Sequence, residues 1–313
     1  MDLASGGADT AVPLAMVPSI GTWERLMGKF SVMCIAAGLL GSAALLVPTY
    51  AADRSGEERL GVPNFNPDGR TGWSSNRGAS DDFLPPKSGP GPVLSDPKHP
   101  YIPNQAAENS TYRVADLTNP ILQEWTKEPM KKANDWVLAG KVPFIARERC
   151  WPIGVPGFVI WNRGQPLRFI QTKTQVWMIN ELYGITRRVY LNVPHTANPK
   201  PSWWGESVGH YEGDTLVVDT IGVTDRTFVD YYRTPHTEQI HVVERFRMID
   251  GGKTLHVDVN VEDPGAFTTA WNAIQEWERR DSGPHVENLC EPANEYFYGY
   301  EVAPLPKDEN PDF

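Results

Sequence analysis

Gly205-Glu206-Ser207-Val208-Gly209-His210-Tyr211-Glu212-Gly213-Asp214-Thr215-Leu216-Val217-Val218-Asp219-Thr220 is followed, after a loop ending Thr234-Pro235-His236-Thr237-Glu238, by Gln239-Ile240-His241-Val242-Val243-Glu244-Arg245-Phe246-Arg247-Met248. Asp250-Gly251-Gly252-Lys253 and then Thr254-Leu255-His256-Val257-Asp258-Val259-Asn260-Val261-Glu262 complete the stretch. Apolar and polar residues alternate with a period of two, and Gly213-Asp214 and Gly251-Gly252 are turn chemistry. This is the pattern of two successive β-hairpins. Four of the seven histidines fall here, with several carboxylates beside them.

Working outward, candidate strands run at 158–162, 167–173, 175–182, 185–192, 206–212, 215–222, 238–249, 254–262 and 268–278. Consecutive strands joined by tight turns form a meander, and eight or nine of them tend to close because closure removes edges. The expected fold is mainly β, an antiparallel up-and-down barrel of the lipocalin-like kind, with a helix packed on or plugging it. The helix is expected between Thr118-Asn119-Pro120, a cap and N1 proline, and the stop at Gly140. Leu122, Trp125, Met130, Ala133, Trp136 and Val137 recur near helical spacing and supply its packing face.

The expected organisation is an N-terminal extension and signal peptide over 1–52 and a Pro/Gly-rich extended arm over 53–112. The barrel domain with its helix covers 113–303, and a tail covers 304–313. Arg25 and Lys29 precede an apolar run from Phe30 to Val47, and Thr49-Tyr50-Ala51 offers a cleavage site. Those are the three regions of an export signal. A periplasmic or secreted protein with no stable membrane insertion after cleavage follows. About 260 residues would remain, enough for one β-rich domain. The chain has 29 Lys and Arg against 39 Asp and Glu, a net charge of −10, and no basic stripe, which excludes nucleic acid as a partner. Cys34 leaves with the signal, so Cys150 and Cys290 are expected to pair in an oxidising compartment. Such a bond would close a loop of about 140 residues and contribute roughly 4–5 kcal/mol in the chain-entropy model.

The hairpins place candidate chemistry by face. With Gly251-Gly252 as the turn, Leu255 opposes Met248, Val257 opposes Phe246 and Val259 opposes Glu244. Arg245, Arg247, His256, Asp258 and Asn260 then lie on the wet face, and Glu244 lies in the apolar stripe. A carboxylate in such a stripe is either paired or tuned toward proton transfer near neutral pH. Glu244 is therefore a candidate catalytic group. The competing reading is a structural pair inside the barrel with Arg187 or Arg188. In the first hairpin His210 and Asp219 share a face and could approach diagonally as an oriented imidazole.

His236 is a candidate contact at the barrel mouth, with His195, Glu238 and His241 as further substrate-binding candidates. Trp177 and Trp204 could line an apolar cavity. A metal site using His236, Glu238 and a remote ligand is an alternative, although His236 and His241 stand five apart rather than one helical turn. No cofactor signature appears.

Val137-Leu138-Ala139-Gly140-Lys141, Arg149-Cys150-Trp151-Pro152, the Gly213-Asp214-Thr215-Leu216-Val217-Val218-Asp219-Thr220 run and Pro235-His236-Thr237-Glu238-Gln239-Ile240-His241-Val242-Val243-Glu244-Arg245-Phe246 resemble a large family of exported, mostly hypothetical bacterial proteins. The resemblance covers roughly residues 115–298. It implies export and one β-rich domain, and no activity.

The expected function is cofactor-free acid–base chemistry, of lyase, hydratase or isomerase type, on a small, largely apolar molecule. The alternatives are a periplasmic small-ligand binding or carrier protein and a metal-dependent enzyme.

Overall fold

The computed structural model describes residues 61–75, 82–101, 113–141, 143–144, 146, 150–160, 166–181 and 184–284. The proposed signal, Cys34, Cys290 and the tail lie outside the described residues. Nine strands form a closed barrel in chain order. They are β1 (Thr71–Ser75), β2 (Leu167–Gln171), β3 (Gln175–Asn180), β4 (Ile185–Leu191), β5 (Glu206–Glu212), β6 (Thr215–Ile221), β7 (His241–Ile249), β8 (Thr254–Glu262) and β9 (Trp271–Asp281). One helix, α1 (Glu124–Leu138), accompanies them. No helix among the described residues is long and apolar enough to cross a membrane.

The hairpin register matches the pattern of the sequence. Glu244 pairs with Val259, Phe246 with Val257 and Met248 with Leu255. In the first hairpin Val208 pairs with Asp219 and His210 with Val217. Leu216, Val218, Val242, Phe246, Val257 and Val261 face inward and are buried. The interior is thus a packed core of branched and aromatic side chains, as small barrels require.

The barrel is mixed, which corrects the antiparallel up-and-down expectation. β4 and β5 run parallel, with Val189 beside Ser207 and Leu191 beside Gly209. Parity demands such a pair. Reversals of direction around a closed ring must be even in number, so nine strands cannot all be antiparallel to both neighbours. The parallel pair falls at a link long enough to return along the strand. A seven-residue strand spans roughly 24 Å, and the fourteen residues 192–205 are long enough to return along it before β5 begins. Gly209 faces inward beside this junction, where an added Cβ would stand 2.7 Å from the Val217 carbonyl oxygen.

β1 lies inside the segment expected as an extended arm. It closes the ring by pairing along its length with β9, Trp73 opposite Arg279, and it touches β2 at Leu167. Its neighbours in sequence are anchored too: Trp73 Nε1 donates to the Phe65 carbonyl at 2.8 Å, and Phe65 is fully buried.

Two local expectations are revised. Residues 158–160, the start of the strand expected at 158–162, belong instead to a buried 3₁₀ turn, Gly157–Ile160, with Phe158 N donating to Gly154 O and Val159 N to Pro156 O. Periodicity cannot distinguish a short buried apolar run in a strand from one in a helical turn. The helix starts at Glu124, four residues beyond Pro120. Asn119 Oδ1 accepts from the Ile121 amide, and Leu122 bridges to Phe267, so the expected cap serves a turn instead. Thr126, Met130 and Asn134 form the buried face of α1, while Trp125 is 48% exposed. Gly140, with φ of 73°, ends the helix region as expected. Gln123 and the Trp125 indole donate to the β8–β9 loop, which seats the helix on that end of the barrel.

Candidate functional site

Glu244 lies at the centre of the barrel and is fully buried. Arg187 Nη1 donates to its Oε1 at 2.9 Å and Nη2 to its Oε2 at 2.5 Å. The guanidinium also donates to Thr220 Oγ1 at 2.8 Å and Ser207 Oγ at 3.2 Å. The Phe158 ring lies 5.6 Å from its carbon and covers it. A bidentate pair with two further guanidinium donors engaged satisfies both buried charges. This is the geometry of the structural ion pair, with Arg187 as the partner. Arg188, next in sequence, points outward to the Trp177 ring at 4.9 Å.

Acid–base side chains instead gather on the outer wall of β5–β9. Asp219, expected to meet His210, accepts two other imidazoles: His195 Nε2 at 3.0 Å and His241 Nε2 at 2.9 Å. His195 Nδ1 also lies 2.9 Å from Glu206 Oε1, and the Thr196 amide and hydroxyl hold the same carboxylate. A neutral imidazole has one N–H, so His195 donates to both carboxylates only as a cation. Two elements therefore converge on Asp219, which stands on β6: the β4–β5 crossover through His195 and the start of β7 through His241, while Glu206 at the start of β5 holds His195 from its other nitrogen.

The electrostatics follow. The hydrogen bond to Asp219 raises His241 above its ordinary 6.5 against a smaller opposing effect of burial. Bonds from His241 and then His195 hold Asp219 below 3.8 although burial pulls it upward. Burial likewise pulls Glu206 upward, but donation from Thr196 and His195 leaves it below its ordinary value. His241 Nδ1 carries no hydrogen bond to any described residue, so one ring nitrogen is oriented and the other is open.

The remaining candidates scatter. His210 is exposed and bonds to Glu212 at 3.0 Å, and Glu212 in turn accepts from Arg245 at 2.6 Å. The diagonal His210–Asp219 contact is not formed, because each side chain is hydrogen-bonded to another partner. His236 is buried, so it is no mouth contact. Its Nδ1 donates to the Thr237 carbonyl at 3.0 Å, and its Nε2 accepts from Thr227 Oγ1 at 2.7 Å. Burial lowers it from 6.5, in keeping with a neutral ring that anchors the loop. Glu238 is exposed beside it. No group of three or more His, Cys, Asp or Glu with metal-holding geometry occurs among the described residues.

Trp177 lies on the outer wall, and Trp204 packs edge-on to Phe158 at 5.8 Å. They do not line a common cavity. A second imidazole centre, not singled out from the sequence, lies on the same wall: His256 Nδ1 is 2.8 Å from Glu276 Oε1 and its Nε2 is 3.1 Å from Asp258 Oδ1. Strand parity placed His256 and Asp258 on this face; Glu276 becomes visible only once β9 is paired beside β8.

Comparison of the chain with protein-family models, with curated proteins and with solved structures finds no match.

Proposed function

We propose that the chain is an exported enzyme of cofactor-free acid–base chemistry, lyase, hydratase or isomerase in type, and that His241 is its proton-transfer group. The observation that carries the reading is the oriented dyad: Asp219 fixes His241 Nε2 while Nδ1 remains open on a half-exposed wall. A carboxylate that orients an imidazole and raises its proton affinity is suited to taking and returning a proton near neutral pH. His195, itself held by Glu206, positions Asp219. The wall is polar, so the substrate is a polar small molecule rather than a largely apolar one. A carrier role is the second reading, favoured by the burial of Glu244 and His236 away from this wall. The closed barrel supports a lipocalin-like assignment within either reading, and the chain would act in the periplasm or outside the cell.

Incubating the protein in D₂O with a small-molecule extract of its own host, followed by mass spectrometry, tests the reading. One or more metabolites should gain deuterium or change by one water with the wild-type protein. His241→Gln should slow this by about 10²–10⁴-fold. A metabolite that co-purifies with the protein and emerges unchanged would establish the carrier instead.

The dyad has a pH signature. His241 is raised, so its contribution to stability is complete below 6.5 and is lost as pH rises through the folded value. Asp219 is lowered, so its contribution is present above 3.8 and is lost as pH falls through its folded value. The pair therefore stabilises the fold most between pH 3.8 and 6.5. In a proton NMR titration His241 should titrate above 6.5 in the wild type, and Asp219→Asn should bring it down. An unmoved midpoint would remove Asp219 as the orienting group.

The Cys150–Cys290 bond is part of the export proposal. Denatured, unreduced mature protein should show no free thiol; two titratable thiols would refute the bond.

A further inference from the structure

The outer wall carries a groove of about 470 Å³ between β7–β9 and the Pro86–Ser88 segment. It is open, mixes charged and apolar groups, and has neither His241 nor Asp219 in its lining. Lys87, Arg245 and Arg247 line it, with Asp258 as the one lining carboxylate. Arg245 is held by Glu212 and Arg247 by Asp258, leaving each guanidinium further N–H donors. Lys87 is exposed and forms no ion pair with any described residue. Glu276, which holds His256, is not among the lining residues. A local concentration of cations on a chain of net charge −10 is a focusing site for a small anion.

The other lining groups narrow the class. Asn260 and Asn272 face the groove, the Asn260 amide donating to Asn272 Oδ1 at 3.0 Å, which leaves the Asn272 amide NH₂, the second Asn260 N–H and Asn260 Oδ1 for a ligand. Val243 and Ile274 supply apolar patches between the polar groups. We infer that this groove binds a small organic carboxylate, the carboxylate held by Lys87 and Arg247 and its apolar body on Val243 and Ile274.

The site also lies beside the dyad. Val243 is the next outward residue after His241 on β7, and it pairs with Asp219 on one side and Asn260 on the other. A ligand bound by its carboxylate at Lys87 would thus extend along β7 toward His241. That consequence rests on the proposed acid–base reading. The binding itself does not.

The test uses benzoate as probe, with benzyl alcohol and inorganic phosphate as comparisons, followed by NMR of the His256 ring and by calorimetry. Benzoate should bind, shift the His256 signals and weaken markedly between low salt and about 0.3 M NaCl. Lys87→Met should weaken it about five- to tenfold, and Lys87→Glu further, with no change in fold because Lys87 is exposed. Benzyl alcohol should not bind. Equal binding of benzyl alcohol, equal or tighter binding of phosphate, or full affinity in Lys87→Glu would each overturn the inference. Because the readout is binding rather than turnover, failure here is distinct from failure of His241→Gln to abolish exchange.

Discussion

Replacing Arg187 with Met should cost about 3–5 kcal/mol, a third or more of the stability of an ordinary domain. Arg187 and Glu244 are 1% and 0% exposed, so neither charge can find water when the other is removed. The variant leaves a carboxylate at the centre of a barrel whose walls are Phe246, Val218 and Val259. Glu244→Gln should be destabilising for the same reason, since the amide accepts one of the two guanidinium bonds and leaves the cation uncompensated. The double variant Arg187→Met/Glu244→Leu removes both charges together and should recover most of the loss, because desolvating an ion pair offsets much of its attraction. Urea midpoints for the four proteins give the coupling energy. If Glu244→Gln keeps its midpoint and loses deuterium exchange, Glu244 is a reacting group and the ion-pair account fails.

The hairpins were legible because period-two patterning and glycine turns are local. Gly213 and Gly251, with φ of 61° and 65°, provide the backbone that those turns require, and the register from Glu244 to Val259 follows from them. The parallel β4–β5 pair was not legible. Its direction is set by the path of residues 192–205, which carry Pro194, Pro199 and Pro201 and no periodicity. The site divided in the same way. Asp219, His195 and His241 were each visible as candidates, but strand pairing alone suggested His210 as the partner of Asp219. The His195 contact crosses from a loop, and a loop side chain has no parity from which to predict its neighbour. The preference of His210 for Glu212, two residues along its own strand, depends on side-chain reach and charge rather than on register.

Glu244 shows a different limit. A charged residue in an apolar stripe is equally consistent with catalysis and with a satisfied ion pair, and only the partner decides. That partner, Arg187, lies on β4, 57 residues away, and no short-range pattern connects the two. The acid–base groups that remain accessible are those on the polar face of the strands, where sequence reasoning usually assigns plain solvation. In this barrel the interior ion pair is buried and satisfied, and the accessible acid–base groups lie on the wall.

Trp73→Ala should destabilise the fold by about 3–5 kcal/mol, the cost of emptying a large aromatic site from a packed core. The residue lies in a Pro/Gly-rich stretch that reads as a tether, and a tether would lose little. Trp73 is instead fully buried, its indole nitrogen tied to Phe65 O, on the strand that joins β9 to β2. Removing it weakens closure as well as packing, since β1 spans only five residues and the β1–β2 contact has the single register pair Trp73–Leu167. Gly72→Ala examines the same closure from the opposite face. A Cβ there would stand 2.5 Å from Pro166 Cβ, and a proline ring cannot swing aside. Both variants should therefore fall well below Ile170→Ala, an outward and half-exposed site on the adjacent β2, which should stay within about 0.5–1 kcal/mol of wild type. Amide exchange on β9 should accelerate in both, because β1 covers one edge of that strand. If Trp73→Ala and Ile170→Ala unfold at the same urea concentration, the ring closes without β1 and the segment is a tether after all.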